Sequence, residues 1–372
     1  MKKPIIVTAC LALLASSLLA ASPAVAAGAG HTPQIIPGTP QTLASGLVSP
    51  LSVDVDASGN AYVTQNFAGL LARVTPAGIV VPLASVPGLE VSAVSTRGTT
   101  LYYAELTEDH GVAWLMSLEK GGTPKKIADI QAYEAKYNPD GKAKYGFVGL
   151  PKSCADTFPP PSEMSPPAVY TGTVDTHPYG SVATASGVYI ADAGANAVLK
   201  VGYDGKVSTV AVLPGSPPIT VTPALAQSFG FPACAAGYKY VTEPVPTAVA
   251  IGPDGQLYVT TLPGGPEDPS LGLRGGIYKI DPATGATKRI IGSLGGATGL
   301  SVTPSGSIYV AELFGGPTGV GRVSVVRVGA AVARNVIALP SPAAIKFYKD
   351  KLYVTTDVLA DGKLTVVPLT YK

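Results

Sequence analysis

Short apolar runs follow one another from residue 40 to the end of the chain, many alternating with polar positions and most bounded by Gly, Pro, Asn or Asp. Period-two alternation and short continuous runs of Val, Ile and Tyr predict strands, and no strongly amphipathic helix competes with them. Only 127–138, IADIQAYEAKYN, is expected to carry a helical turn. One strand type recurs with a tyrosine inside it: NAYVTQ (Tyr62), TLYYAE (Tyr102), GVYIAD (Tyr189), QLYVTT (Tyr258), SIYVAE (Tyr309) and KLYVTT (Tyr353). Successive tyrosines lie 40, 87, 69, 51 and 44 residues apart. Around each, a first strand, a tight turn such as DASGN or GPDGQ, the tyrosine strand and a third strand follow in order, and a fourth ends most units. A four-strand unit of about 40 to 50 residues is the period of a β-propeller blade.

The expected fold is therefore all-β: a six-bladed β-propeller with four-stranded antiparallel blades. The last unit, 343–372, holds only three strands, and 40–50 (PQTLASGLVSP) resembles the fourth-strand segment 80–88. The N-terminal strand is expected to complete the last blade and close the ring, which removes exposed sheet edges. The recurring tyrosines then pack between neighbouring blades.

Residues 1–26 read as a signal peptide: Lys2 and Lys3, an apolar stretch, and AVA before Ala27, with cleavage near Ala26. Residues 27–39 form a tail and 40–372 a single propeller domain. The expected localisation is secreted, extracellular or periplasmic, with no membrane span. Loss of the leader leaves 24 basic against 24 acidic residues, so no electrostatic footprint for nucleic acid exists. Export leaves Cys154 and Cys234, which read as one disulfide.

Three interruptions break the repeat, at 131–176, 214–245 and 262–275. All fall in connections that share one face of a propeller, which makes that top face the place to look for a site. No G-x-S-x-G, P-loop, C-x-x-C or H-E-x-x-H is present. Asp175, His177 and Glu243 lie at the rim outside the repeat and are the catalytic candidates. Ligand-binding candidates add Tyr179, Arg274 and the strand-end acids Glu105, Asp192, Glu312 and Asp357. Asx-type turn bonding is the competing explanation for those acids. Asp175 and Glu243 are the metal candidates, for Ca²⁺ or another divalent ion; no cofactor is assigned beyond that.

The segments YNPDG, VDTHPYGSVA…GVYIADAGANAVLKV…GKVSTVAVLP and EPVPTAVAIGPDGQLYV resemble the exported propeller family named after the ScyD and ScyE proteins of cyanobacterial scytonemin gene clusters. The resemblance covers 34–372. In its D-x-N-P-Y-G segment, His177 stands where the family pattern has Asn. It implies an exported six-bladed propeller and no catalytic residues. The NHL, gluconolactonase and strictosidine-synthase-like propellers are similar in architecture only. First-strand entrances such as SPLSV and PYGSV carry Ser, Thr, Pro and Gly rather than the Glu, Asn and Asp metal ligands of the gluconolactonase type. The reading is a monomeric binding module for a small molecule, glycan or protein. The alternative is a metal-assisted hydrolase or lyase of lactonase type.

Overall fold

The computed structural model describes residues 34–160, 167–266, 268–316 and 320–372. The expected signal peptide and most of the tail lie outside them. Ile35–Lys372 form one compact unit. Among the described residues there are seven sheets, all of antiparallel neighbours. Five are uninterrupted four-strand meanders of consecutive strands. Sheet I comprises Val53–Val55, Ala61–Gln65, Leu70–Val74 and Val80–Ser85. Sheet II comprises Glu90–Arg97, Thr100–Leu106, Ala113–Glu119 and Lys125–Asp129. Sheet III comprises Pro178–Thr184, Gly187–Asp192, Ala197–Val201 and Val207–Val212. Sheets IV and V begin with Pro246–Ile251 and Ala297–Val302. Sheet VI joins Ile345–Tyr348, Lys351–Thr356 and Gly362–Tyr371, and the last of these also pairs with Gln41–Leu47 and Ile35–Pro37. The N-terminal segment thus does add to the three-stranded last unit.

The turns work as their residues dictate. Asp56 accepts the N–H groups of Ser58 and Asn60, and Gly59 takes φ +83. First strands pack successively from sheet I to sheet VI, and Ile345–Tyr348 returns to Val53–Val55. They leave a narrow space of about 50 Å³, lined by Ser52, Val94, Gly180, Thr247, Gly299 and Ala344 among others. Gly180 and Gly299 permit this approach: a Cβ there would lie 2.7 Å from Thr247 O and 2.4 Å from Ala343 O.

The core lies between adjacent sheets. Tyr102 packs with Val188, Ile190 and Leu199 of sheet III, and Tyr189 with Val249 and Leu257 of sheet IV. Tyr309 packs with Ile345 and Leu352, and Tyr353 with Val53 and Val63. The recurring tyrosine is inter-sheet packing, one apolar member of each inter-sheet core.

The two long interruptions are not aperiodic connections. They fold together into the seventh sheet, of Val169–Thr171, Lys144–Val148, Lys239–Val241 and Ile219–Thr220. Phe147 pairs with Tyr240 across the two interruptions. Each supplies only two short strands, too little to read as a sheet by itself. A core of Phe147, Cys154, Val221, Phe231 and Tyr240 lies beneath, and Cys154–Cys234 form the expected disulfide. The helical turn expected at 127–138 is a helix, Ile130–Tyr137, capped by Asp129 Oδ1 on the Ala132 N–H.

Candidate functional site

The rim segment 174–180 is anchored from below by sheet III. Asp192, fully buried at the end of its strand, accepts the Thr176 hydroxyl (2.5 Å), the His177 N–H (2.7 Å) and the Ala195 N–H (3.2 Å). It is a loop cap as well as the latch of this segment. Burial pushes its carboxyl up, against these bonds.

Above the latch stand two imidazole–carboxylate pairs. His110 Nδ1 lies 2.7 Å from Asp175 Oδ1, and His177 Nε2 lies 3.1 Å from Glu90 Oε1. The two imidazole centroids are 4.7 Å apart, and the Tyr179 ring lies 6.0 Å from His177. Asn66 Nδ2 donates to Glu90 Oε1 (2.7 Å), and Thr64 donates to Asn66 Oδ1 (2.7 Å). Sheets I, II and III therefore each contribute. The Asp175 hydrogen bond raises the His110 pKa, with the charges of Asp175, Glu90 and Asp192 adding to it against partial burial. The same bond holds Asp175 below the usual carboxylate range. Burial opposes the Glu90 charge, but His177 and Asn66 outweigh it and lower its pKa.

This gives a pH prediction. A raised His110 pKa stabilises the fold fully below the ordinary imidazole value of about 6.5 and ceases to as pH rises through the folded value. The lowered Asp175 pKa stabilises above about 3.9 and ceases to on acidification. The pair contributes most between these limits. Melting temperature is expected to fall between pH 6 and 8 (about the imidazole range), and less steeply in Asp175→Asn. Identical slopes in both proteins would contradict the coupling.

The three interruptions enclose a cavity of about 600 Å³. Tyr170, Ile219, Leu225, Phe229, Phe231 and Tyr240 of the two interruptions form one wall, and Gly264, Gly265, Pro266 and Leu271 of the third form the other. Arg274 holds that second wall: its guanidinium donates to Pro263 O (3.0 Å), Gly264 O (2.9 Å) and Thr242 Oγ1 (3.1 Å). Among the described lining residues Glu243 is the one carboxylate. Asn196 Nδ2 donates to Glu243 Oε2 and to Asp140 Oδ2, both at 2.9 Å, and Asn196 Oδ1 accepts the Val245 N–H (3.1 Å). Tyr170 donates to Glu243; burial first, then that carboxylate, raise its phenol far above the usual value.

The sequence candidates thus fall into three places. Asp175, His177 and Tyr179 stand at the imidazole pairs, and Glu243 and Arg274 at the cavity. The other strand-end acids have local partners: Glu105 accepts from Tyr103 (3.1 Å), Glu312 pairs with Arg322 (2.8 Å), and Asp357 with Lys363 (3.0 Å). Among the described residues no three histidine, cysteine, aspartate or glutamate side chains are placed to hold a metal. Asp175 and Glu243 sit on different partners, His110 and Asn196, rather than in one ligand set. Sequence reasoning missed Glu90, His110, Asn196 and Asp140 as members of the site. Asp140 lies in YNPDG, within the first interruption, and Asn196 in ADAGAN, in the loop after a tyrosine strand.

Neither a family model nor a curated protein sequence matches the chain. Solved structures do. A gluconolactonase from Xanthomonas campestris superposes with TM-score 0.55 at 12% identity, over 91% of this chain and 95% of that one. A PQQ-bound aldose sugar dehydrogenase from Streptomyces coelicolor gives 0.53 at 13%, over 91% and 99%. A calcium-binding regucalcin from Agrobacterium tumefaciens gives 0.51 at 14%, over 91% and 96%. The fold is a β-propeller. Identities this low show architecture alone, and the propeller's chemistry has to be read from its own residues. No helix among the described residues is long and apolar enough to cross a membrane.

Proposed function

We propose that this chain is an exported, six-bladed propeller that binds a small apolar molecule in the cavity between the inserted sheet and the 262–275 loop. Sheets I to VI are its blades, and the inserted sheet is its cap. The signal-peptide pattern of 1–26, the disulfide and the resemblance of 34–372 to the ScyD/ScyE family support export. The observation that carries the reading is the cavity itself. About 600 Å³ is the size of a small-molecule site, and its described walls are apolar and aromatic, with Glu243 as their carboxylate. All three departures from the repeat meet there. Glu243 gives the ligand its second requirement: a hydrogen-bond donor or a cationic group beside an apolar or aromatic body. A paired test follows. Aromatic amines such as tryptamine are expected to bind better than the isosteric neutral alcohols. Glu243→Gln should reduce that preference by about tenfold or more, the scale of one charge-assisted hydrogen bond. Equal affinity for both classes in both proteins would overturn the role given to Glu243.

A second reading rests on the two neighbouring imidazole–carboxylate pairs. His110, whose proton affinity Asp175 raises, and His177, partnered by Glu90, offer an acid and a base side by side, as opening of a lactone or cyclic ester requires. The gluconolactonase likeness fits this reading only at the level of fold. Lactone turnover abolished by His177→Gln, but insensitive to Ser228→Trp at the cavity, would place activity at the pairs.

A further inference from the structure

The helix Ile130–Tyr137 and the turn after it carry acceptors with no donors. Glu134 is fully buried, and neither of its carboxyl oxygens has a hydrogen-bond partner. Asp140 is 1% exposed. Its Oδ2 receives Asn196 and Tyr145, but its Oδ1 has no partner. Between them, Asn138 donates its Nδ2 to Gly172 O at 3.2 Å, which fixes the amide and leaves its Oδ1 buried and unpartnered. A methyl group on Gly172 would fall 1.9 Å from Asp140 Oδ1, so that carboxyl is packed against bare backbone on this side.

Four orphan oxygens with two formal negative charges lie within seven residues of chain. Buried carboxylates without partners are strongly unfavourable, and native proteins resolve them by protonation, pairing or ion binding. Pairing with a basic side chain does not occur here. Asp192, Asp140 and Asp175 add negative charge around Glu134. The donor set is all oxygen, carboxylate and amide, which suits a hard cation rather than zinc or copper.

We propose that Glu134, Asn138 and Asp140 form a binding site for a divalent hard cation of the Ca²⁺ class, completed by water. It is distinct from the Asp175 and Glu243 positions and involves only two carboxylates. Asn196 bridges Asp140 to Glu243 and so links the site to a residue that lines the cavity. An ion there neutralises Asp140 and frees Glu243 from its repulsion.

The test uses the full mature protein, purified without a metal-affinity step, stripped with EGTA and melted with Ca²⁺, Mg²⁺ or neither. At a Ca²⁺ concentration 100 times the Kd, the folding equilibrium shifts by about a hundredfold, which raises the melting temperature by a few degrees. Calorimetry is expected to give one Ca²⁺ per chain. Glu134→Gln keeps the shape of the side chain and removes a charge, so it should fold and lose the shift; Asp140→Asn should do the same. A stripped wild-type protein indifferent to both ions would overturn the site. A Glu134→Gln protein that keeps the full shift would do so too. The first of those results would leave protonation of Glu134 as the resolution of the buried charge. None of these readouts depends on the cavity binding a ligand.

Discussion

Serine at both Cys154 and Cys234 is expected to cost about 2–5 kcal/mol of stability, the range seen when a native disulfide is removed. The bond closes a loop with a sequence separation of 80. In the chain-entropy account a loop of that length is worth about 4.5 kcal/mol. Packing adds a local reason. Cys154 is buried among Phe147, Phe231 and Tyr240, in a core shared by two segments that are distant in sequence. The sheet they build has strands of only two to five residues. Short strands of this kind do not hold together without packing or a staple. The loss should therefore be uneven. Amide exchange at 144–148 and 219–241 should accelerate strongly, while 188–201 in sheet III, whose core residues are fully buried, should change little. Uniform acceleration along the chain would mean that the inserted sheet is not a separate cooperative unit.

Glu312→Ala is expected to cost about 3–5 kcal/mol, because it breaks a buried ion pair by removing one partner. Glu312 is fully buried. Its carboxylate receives two bonds from Arg322 (2.8 and 2.9 Å), one from the Gly295 N–H (2.7 Å) and one from the Ser324 hydroxyl. Alanine leaves the guanidinium, the amide and the hydroxyl without an acceptor. Replacing Glu312 and Arg322 together with leucine should recover much of the loss, since paired apolar groups carry no desolvation cost. Asp357→Asn is the contrast. Asp357 sits at φ +52, which asparagine tolerates, and its partner Lys363 is partly exposed, so the expected change is about 0–1 kcal/mol. Denaturant titrations of these proteins check both values. A small loss for Glu312→Ala would show that water reaches the pair.

These two cases show what could be read from the chain beforehand. The tyrosine strands announce themselves because each lies in a continuous apolar run with a turn on one side, and their inter-sheet packing follows from that regularity. Asp175, His177 and Glu243 stood out because they sit outside the repeat. Their partners did not. His110 meets Asp175 across 65 residues, and Asn196 meets Glu243 across 47, through contacts that no local pattern encodes. The inserted sheet was hidden for the same reason. KYGFV and KYV lie in separate interruptions, and only the pairing of Phe147 with Tyr240 makes them neighbours. Glu312 and Asp192 look alike as strand-end acids. One meets an arginine on the next strand, and the other caps its own loop.

The cavity is the centre of the account, and one titration tests it most directly. N-phenyl-1-naphthylamine is neutral, aromatic and carries an N–H donor, so it matches both the walls and Glu243. Its fluorescence is measured against the oxidised wild-type protein and against Ser228→Trp, which places an indole at the cavity edge from the end of the helix Pro223–Ser228. Saturable binding at one site per chain in the wild type, lost in Ser228→Trp at unchanged melting temperature, is the predicted result. No saturable binding, or binding that Ser228→Trp leaves intact, would contradict the cavity as the binding site of this propeller.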